Sequence, residues 1–282
     1  MKTGLLLEGG AMRGLYTAGI LDVFMEKGIK IDGIIGVSAG ALFGMNYKSK
    51  QIGRVLRYNK KYARNKDYMG FYSLISTGDI MNREFCFNKI VNELDPVDFD
   101  TFKRTEVKFY AVVTNMETGK PEYIKIDDLK DKVQLEYLRA SGSMPYVSKP
   151  VIIKGKKYLD GGISDSIPIE KIMNMEFDRV IVILTRPIEY RKKKGNEKIP
   201  QIYYHKYPKL VETINNRYKM YNEEVEKVIQ LEKEKKIFVI RPSRTVGIKR
   251  IERDIDKIQE MYDLGKSDIQ EKMDGLLNYL KE

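Results

Sequence analysis

A serine set between two glycines is the first feature of this sequence that could do chemistry. Gly36-Val37-Ser38-Ala39-Gly40 has the spacing G-x-S-x-G. It falls between an apolar run at 31–37 and a run of helical character at 39–47, where such a motif must stand to lift a hydroxyl clear of a sheet. The glycines let neighbouring backbone pack closely. The helix that follows aims its N-terminal amides at the place where negative charge would develop. The chemistry served is attack of the Ser38 hydroxyl on a carbonyl carbon; the bland alternative is a chance glycine-rich turn.

A nucleophile of this kind needs a base and an oxyanion hole. Gly9-Gly10-Ala11-Met12-Arg13-Gly14 follows a short apolar run at 5–7 and precedes a helical run at 15–27. Flexible backbone there can aim several N–H groups at one point, and Arg13 adds positive charge. Gly9, Gly10, Ala11 and Arg13 are therefore the candidate oxyanion residues. The rival reading is a dinucleotide loop, but that motif wants glycine where Ala11 stands and an acid at the end of the second strand, where Ser38 stands. For the base, the chain offers one histidine, His205, among basic residues and far from any glycine-rich turn, which reads as a surface residue. A carboxylate is then the economical base, because an unassisted hydroxyl is a poor nucleophile. Asp160, in Asp160-Gly161-Gly162 after a predicted hairpin, is the best framed; Asp165 lacks the flanking glycines.

These three motifs, in this order, resemble those of the patatin-like phospholipases over about residues 3–185. Gly9–Gly14 is similar to the family's G-G-x-x-R-G box, Gly36–Gly40 to its elbow and Asp160–Gly162 to its D-G-[AG] motif. The small-residue stretch 139–145 and Pro168 fit as well. The resemblance implies a Ser38–Asp160 dyad in place of a triad, a lipid acyl ester as substrate, and no metal or cofactor. It also implies an α/β three-layer sandwich around a mainly parallel sheet. Ala11 stands where the family often has a third glycine, and its amide serves if a positive φ is not required there. A different class of function is a catalytically degenerate core acting as a basic membrane- or nucleic-acid-binding module. The intact Ser38 and Asp160 speak against it, and the sequence shows no nucleic-acid recognition motif.

The elements that must position these residues follow from periodicity. Strand, helix, strand and helix over the first 47 residues make a βαβ unit, hence a parallel sheet. Strands are expected at 107–114, 122–126 and 179–184, a hairpin at 151–159, and a helix at 132–140. Composition shifts near 190. Residues 1–190 are read as the catalytic α/β domain, and 191–282 as a mainly helical extension with helices at 208–235 and 250–281 about a strand at 237–240.

Composition bounds the rest. The 282 residues are 42% hydrophobic and 32% charged, a globular balance that excludes a disordered chain. One cysteine excludes a disulfide framework, and one histidine excludes zinc sites needing two or three. No apolar run is long enough to span a bilayer, and Gly4–Leu7 meets Glu8 at once, unlike a signal peptide, so a cytoplasmic protein is expected. Lys and Arg exceed Asp and Glu by 51 to 40, which points to an anionic partner. Eight of those cations, Lys48, Lys50, Arg54, Arg57, Lys60, Lys61, Arg64 and Lys66, fall in one stretch without an acid and interleaved with Tyr47, Tyr58 and Tyr62. That stretch is the expected contact with an anionic membrane surface. The oligomeric state is not legible.

Overall fold

A computed structural model describes residues 1–281 of the chain. The short apolar runs become strands because helices cover both of their faces. β1 (Thr3–Leu7) leads to α1 (Leu15–Glu26), β2 (Gly33–Val37) to α2 (Ala39–Lys48), and α3 (Arg54–Tyr62), α4 (Phe71–Thr77), a π-helical segment (Phe85–Leu94) and α5 (Phe99–Arg104) follow before β3 (Lys108–Asn115). Next come β4 (Pro121–Lys125), α6 (Lys132–Ser141), the hairpin β5 (Val151–Ile153) and β6 (Lys156–Asp160), α7 (Ile169–Met173) and β7 (Arg179–Ile183). The chain ends in α8 (Lys198–Tyr203), α9 (Pro208–Lys233), β8 (Phe238–Ile240) and α10 (Ile255–Tyr279).

One eight-stranded sheet runs β5-β6-β3-β2-β1-β7-β8, with β4 also on β3. β3, β2, β1, β7 and β8 pair in parallel, with β8 at the sheet edge; the β3–β4, β3–β6 and β5–β6 pairs are antiparallel. Side chains alternate between two cores. Leu5, Leu7, Ile34, Phe109 and Ile181 pack under α1, α2 and α10. Leu6, Ile35, Val37, Val112 and Val182 pack under α7 and α9. This is the expected three-layer α/β sandwich. It also includes β8, from the C-terminal part of the chain.

The register places the site. β4 pairs with β3 over residues 110–114, overlapping both the β2 pairing at 108–112 and the β6 pairing at 113–115. A strand has only two flanks, so β2 and β6 share the flank opposite β4. Val37 pairs with Val112 and Asp160 with Val113, so the C-terminal ends of β2 and β6 meet head to head.

α10 locks the C-terminal part to the core through a matched pair of motifs. Tyr16-x-x-Gly19-x-x-Asp22 in α1 crosses Tyr262-x-x-Gly265-x-x-Asp268 in α10. Tyr16 Oη donates to Asp268 at 2.8 Å and Tyr262 Oη to Asp22 at 2.6 Å, so the helices run antiparallel. Between these bonds a Cβ on Gly19 would strike the Tyr262 carbonyl, and one on Gly265 the Tyr16 carbonyl. α10 begins at Ile255, later than the periodicity suggested, because the Asp254 side chain caps the N–H groups of Asp256 and Lys257.

Gly265→Ala is expected to cost about 1–3 kcal/mol, as overpacking does. Gly275→Ala in the same helix meets nothing nearer than the Phe238 ring at 3.6 Å and should gain about 0.5–1 kcal/mol from helix propensity. Urea unfolding of both variants checks the opposite signs; equal signs would contradict the close crossing.

Candidate active site

Ser38 turns the chain from β2 into α2 with φ +54° and ψ −122°. An L residue pays about 1–2 kcal/mol for a left-handed φ. The neighbouring glycines allow it by leaving room: a Cβ on Gly36 would stand 2.6 Å from the Ala41 backbone, and one on Gly40 would strike the Leu7 carbonyl. Gly14 does the same between α1 and α2, where a Cβ would come within 2.9 Å of Ala39 Cβ. Ser141, near the end of α6, accepts the Ser38 N–H at 2.9 Å. The sequence offered Ser141 only as part of a small-residue stretch.

Asp160 arrives at the end of β6. Ser38 Oγ donates to Asp160 Oδ2 at 2.6 Å, and Gly162 N–H donates to Oδ1 at 2.8 Å. The Asp160 peptide is fixed too: its N–H donates to Ser143 and its carbonyl accepts from Thr114 Oγ1. Gly161 lies so close to the Val112 carbonyl that a side chain would not fit. Serine and aspartate are both buried. Burial pushes the Asp160 carboxyl above the usual carboxylate range, while the Ser38 hydroxyl, the Arg217 charge and the Gly162 amide pull it back.

The glycine box curls over this pair. Ala11 opens a 3₁₀ turn over Ala11–Gly14 with φ +50°, so the positive φ that favours glycine is adopted by alanine. Two amides of the box are spent: Met12 N–H donates to the Arg250 carbonyl and Arg13 N–H to the Gly10 carbonyl. Among the described residues, the Gly9, Gly10 and Ala11 amides have no protein acceptor. They border the same cavity as Ser38 and Asp160, about 460 Å³ in volume. Arg13 brings its side chain to that cavity, not its amide. Its Nε is buried without a hydrogen-bond partner, and burial, then Arg186, pushes the guanidinium down to about 10.

Ser38 also borders a narrow, mainly apolar slot of about 80 Å³ that shares Ala11, Ile80, Met144, Arg250 and Ile251 with the polar cavity. Met12, Met45, Met69, Met81 and Met144 line it with Phe43 and Leu42. Unbranched methionines can move aside for a longer apolar guest. The site therefore joins a polar half to a deformable apolar half across one hydroxyl.

Several site residues were not singled out in the sequence. Glu8 is buried and accepts from Thr185 N–H and Oγ1 and from Tyr221 Oη, binding the ends of β1 and β7 to α9. Arg217, also on α9, donates Nε to the Gly162 carbonyl at 2.5 Å. The available signal was the stripe Arg217, Tyr221 and Glu224, whose spacing puts polar tips on a helix face that packs against the sheet. Asp165 belongs to another network, with Tyr123 Oη. His205 is exposed, with its ring at the Ile202 carbonyl.

The basic stretch divides. Lys48 is buried and donates to the Thr105 and Val107 carbonyls, and Arg54 is buried on Asn46 and the Asp95 carbonyl. Neither can face a membrane, because each satisfies buried carbonyl oxygens. Arg57 pairs with Asp95, and Tyr47, Tyr58 and Tyr62 pack inside. Lys50, Lys61, Arg64 and Lys66 remain exposed. Among the described residues, no helix is long and apolar enough to cross a membrane.

A serine on a strained strand-to-helix turn of a parallel sheet, an aspartate meeting it from a hairpin strand and a glycine box over both define a class. The chain belongs to the patatin-like phospholipase family, whose model matches residues 5–173. Residues 207–281 match a second model, described as a domain of unknown function. The chain is 28% identical over 192 residues to the uncharacterized protein YjjU of Escherichia coli, covering 66% of this chain and 52% of that one. It is 25% identical over 214 residues to lysophospholipase nte1 of Aspergillus fumigatus, covering 71% of this chain and 12% of that one. It thus spans about half of the first relative and a small part of the second. The crystal structure of VipD from Legionella pneumophila aligns with a TM-score of 0.47 and 13% identity, over 97% of this chain and 67% of that one.

Ser141→Ala would leave the buried Ser38 N–H without its acceptor. The expected loss is about 1–3 kcal/mol of stability, the cost of an unsatisfied buried donor. Thermal unfolding measures it; an unchanged midpoint would mean that Ser141 does not hold the elbow.

Proposed function

We propose that this protein is a serine acyl hydrolase that cleaves an acyl ester of a lipid, with Ser38 as nucleophile and Asp160 as base. The observation that carries the reading is the 2.6 Å hydrogen bond from Ser38 Oγ to Asp160 Oδ2, beside the cavity that the unspent amides of Gly9, Gly10 and Ala11 also border. Membership of a phospholipase family and likeness to a lysophospholipase support a lipid as the ester. So does the apolar slot that meets the polar cavity at Ser38.

In this mechanism Ser38 Oγ bonds to the ester carbonyl carbon as its proton passes to Asp160 Oδ2. The carbonyl oxygen becomes an oxyanion and accepts from the Gly9–Ala11 amides, each donor being worth about 3 kcal/mol in such holes. The tetrahedral intermediate collapses, the bond to the alcohol oxygen breaks, and the alcohol leaves with the proton from Asp160. Water then attacks the acyl-serine and gives a proton to Asp160. Collapse of the second intermediate releases the carboxylic acid as that proton returns to Ser38. Arg217 positions the aspartate loop through the Gly162 carbonyl. The exposed Lys50, Lys61, Arg64 and Lys66 are proposed to meet an anionic lipid surface.

Hydrolysis of a lysophospholipid tests this. Ser38→Ala should abolish turnover, and Asp160→Asn should lower kcat/KM by about 10²–10⁴, the range for a general base. His205→Ala should leave it unchanged. The base works only ionised, and burial raises the Asp160 carboxyl. Activity should therefore fall as pH drops through a midpoint above the ordinary value of about 3.9. Full activity in Asp160→Asn, or an acid limb that survives in that variant, would overturn the assignment.

A further inference from the structure

Beyond β7, the chain sends four cations to the wall of the polar cavity. Arg186 and Lys192 come from the loop after β7, Arg217 from α9 and Arg250 from the loop before α10. All four lie outside residues 5–173, the span of the family match. Arg13 stands with them. The acids on the same wall are Glu8 and Asp160, and both are engaged: Glu8 by Thr185 and Tyr221, Asp160 by Ser38 and Gly162.

Among the described residues, thirteen ion pairs form, and none includes any of these five cations. Their contacts are with neutral groups. Arg217 holds the Gly162 carbonyl; Arg186 lies over the Tyr190 ring at 4.2 Å, and Lys192 over the Tyr221 ring at 3.4 Å. The cations work against one another. Burial, then the Arg217 charge, pushes the Lys192 ammonium down to about 6 against the pull of Glu8, Glu224 and Asp160, so a bound anion is what would hold it protonated at neutral pH. Five basic side chains outnumber the two acids on this wall; such an excess of like charge disfavours the folded chain, and conflicts of this kind gather at functional sites. The ligand that resolves this one carries more than one negative charge. Guanidinium groups match phosphate oxygens in geometry as well as charge.

We propose that Arg186, Lys192, Arg217 and Arg250 form a phosphate-binding subsite, and that it takes the terminal phosphate monoester of an acyl lipid. A zwitterionic head is disfavoured on two counts. Among the described residues, no carboxylate free of hydrogen bonds lies on this wall to meet a quaternary ammonium, and its three tyrosine rings are engaged: Tyr190 and Tyr221 carry Arg186 and Lys192, and Tyr146 packs on Tyr203 and Tyr204. The acyl half of this inference rests on the hydrolase reading above; the phosphate half does not.

Two measurements on the full chain separate them. Calorimetry of inorganic phosphate with the Ser38→Ala protein requires no turnover. Saturable binding is expected, weakened at least tenfold in the Arg186→Gln/Arg250→Gln background, where both replaced side chains are half-buried or exposed and the fold is spared. Turnover is then compared on oleoyl lysophosphatidic acid, oleoyl lysophosphatidylcholine and monooleoylglycerol. The expected result is at least a tenfold higher kcat/KM for the phosphate monoester, carried by KM, competed by inorganic phosphate and collapsed by the double substitution. Phosphate binding without that preference would assign the subsite to a free phosphate ion and overturn the head-group assignment. Preference for the choline lipid would overturn it as well. Hydrolysis without phosphate binding or preference would remove the subsite and leave the hydrolase reading intact. Phosphate binding with no hydrolysis of any of the three would do the reverse.

Discussion

The structure depends on holding Ser38 at a backbone angle that an L residue avoids. Locally, Ser38 is tied only through its carbonyl, which accepts from the Ala41 and Leu42 amides. The surroundings impose its φ of +54°: Gly40 lies against the end of β1, Gly36 against the first turn of α2, and Ser141 takes the amide. Each of these contacts needs a parallel sheet whose strands end together. The layers above and below keep those ends in line, because the leucines of β1 are buried alternately in two cores. Strain at the Ser38 turn is thus offset by packing far from it.

The second requirement is a carboxylate beside that hydroxyl in a buried place. β6 supplies it by continuing the flank of β3 that β2 leaves, so serine and aspartate come from strand ends that face each other. Burial disfavours the ionised aspartate; the Gly162 amide and Arg217 offset this. Arg217 rides on α9, and α10 is locked on α1 by two tyrosine–aspartate bonds about a glycine crossing. The C-terminal helices therefore take part in the electrostatics of the site as well as in covering the sheet.

Much of this was legible in the sequence. The βαβ start, the parallel sheet, the hairpin before Asp160 and the two long C-terminal helices follow from periodicity and turn residues, which act locally. The juxtaposition of Ser38 with Asp160 was inferred from residue types and from likeness to a family, since no local pattern encodes a contact across 122 positions. What stayed hidden depends on tertiary contact. Lys48 and Arg54 looked like solvent-facing cations and are buried on carbonyl oxygens, because a long aliphatic stem lets a charged tip reach an internal acceptor. Glu8 was read only as the charge that follows Gly4–Leu7, and it joins β1, β7 and α9. The Ala11 turn takes the positive φ that its missing glycine would have announced.

The most direct test of the central claim is labelling by a fluorophosphonate with peptide mapping of the adduct. Such a probe phosphonylates a serine only when the hydroxyl is activated. The account predicts one adduct, on Ser38, formed far more slowly in the Asp160→Asn protein. An adduct elsewhere, or undiminished labelling of Ser38 without the Asp160 carboxylate, would contradict it.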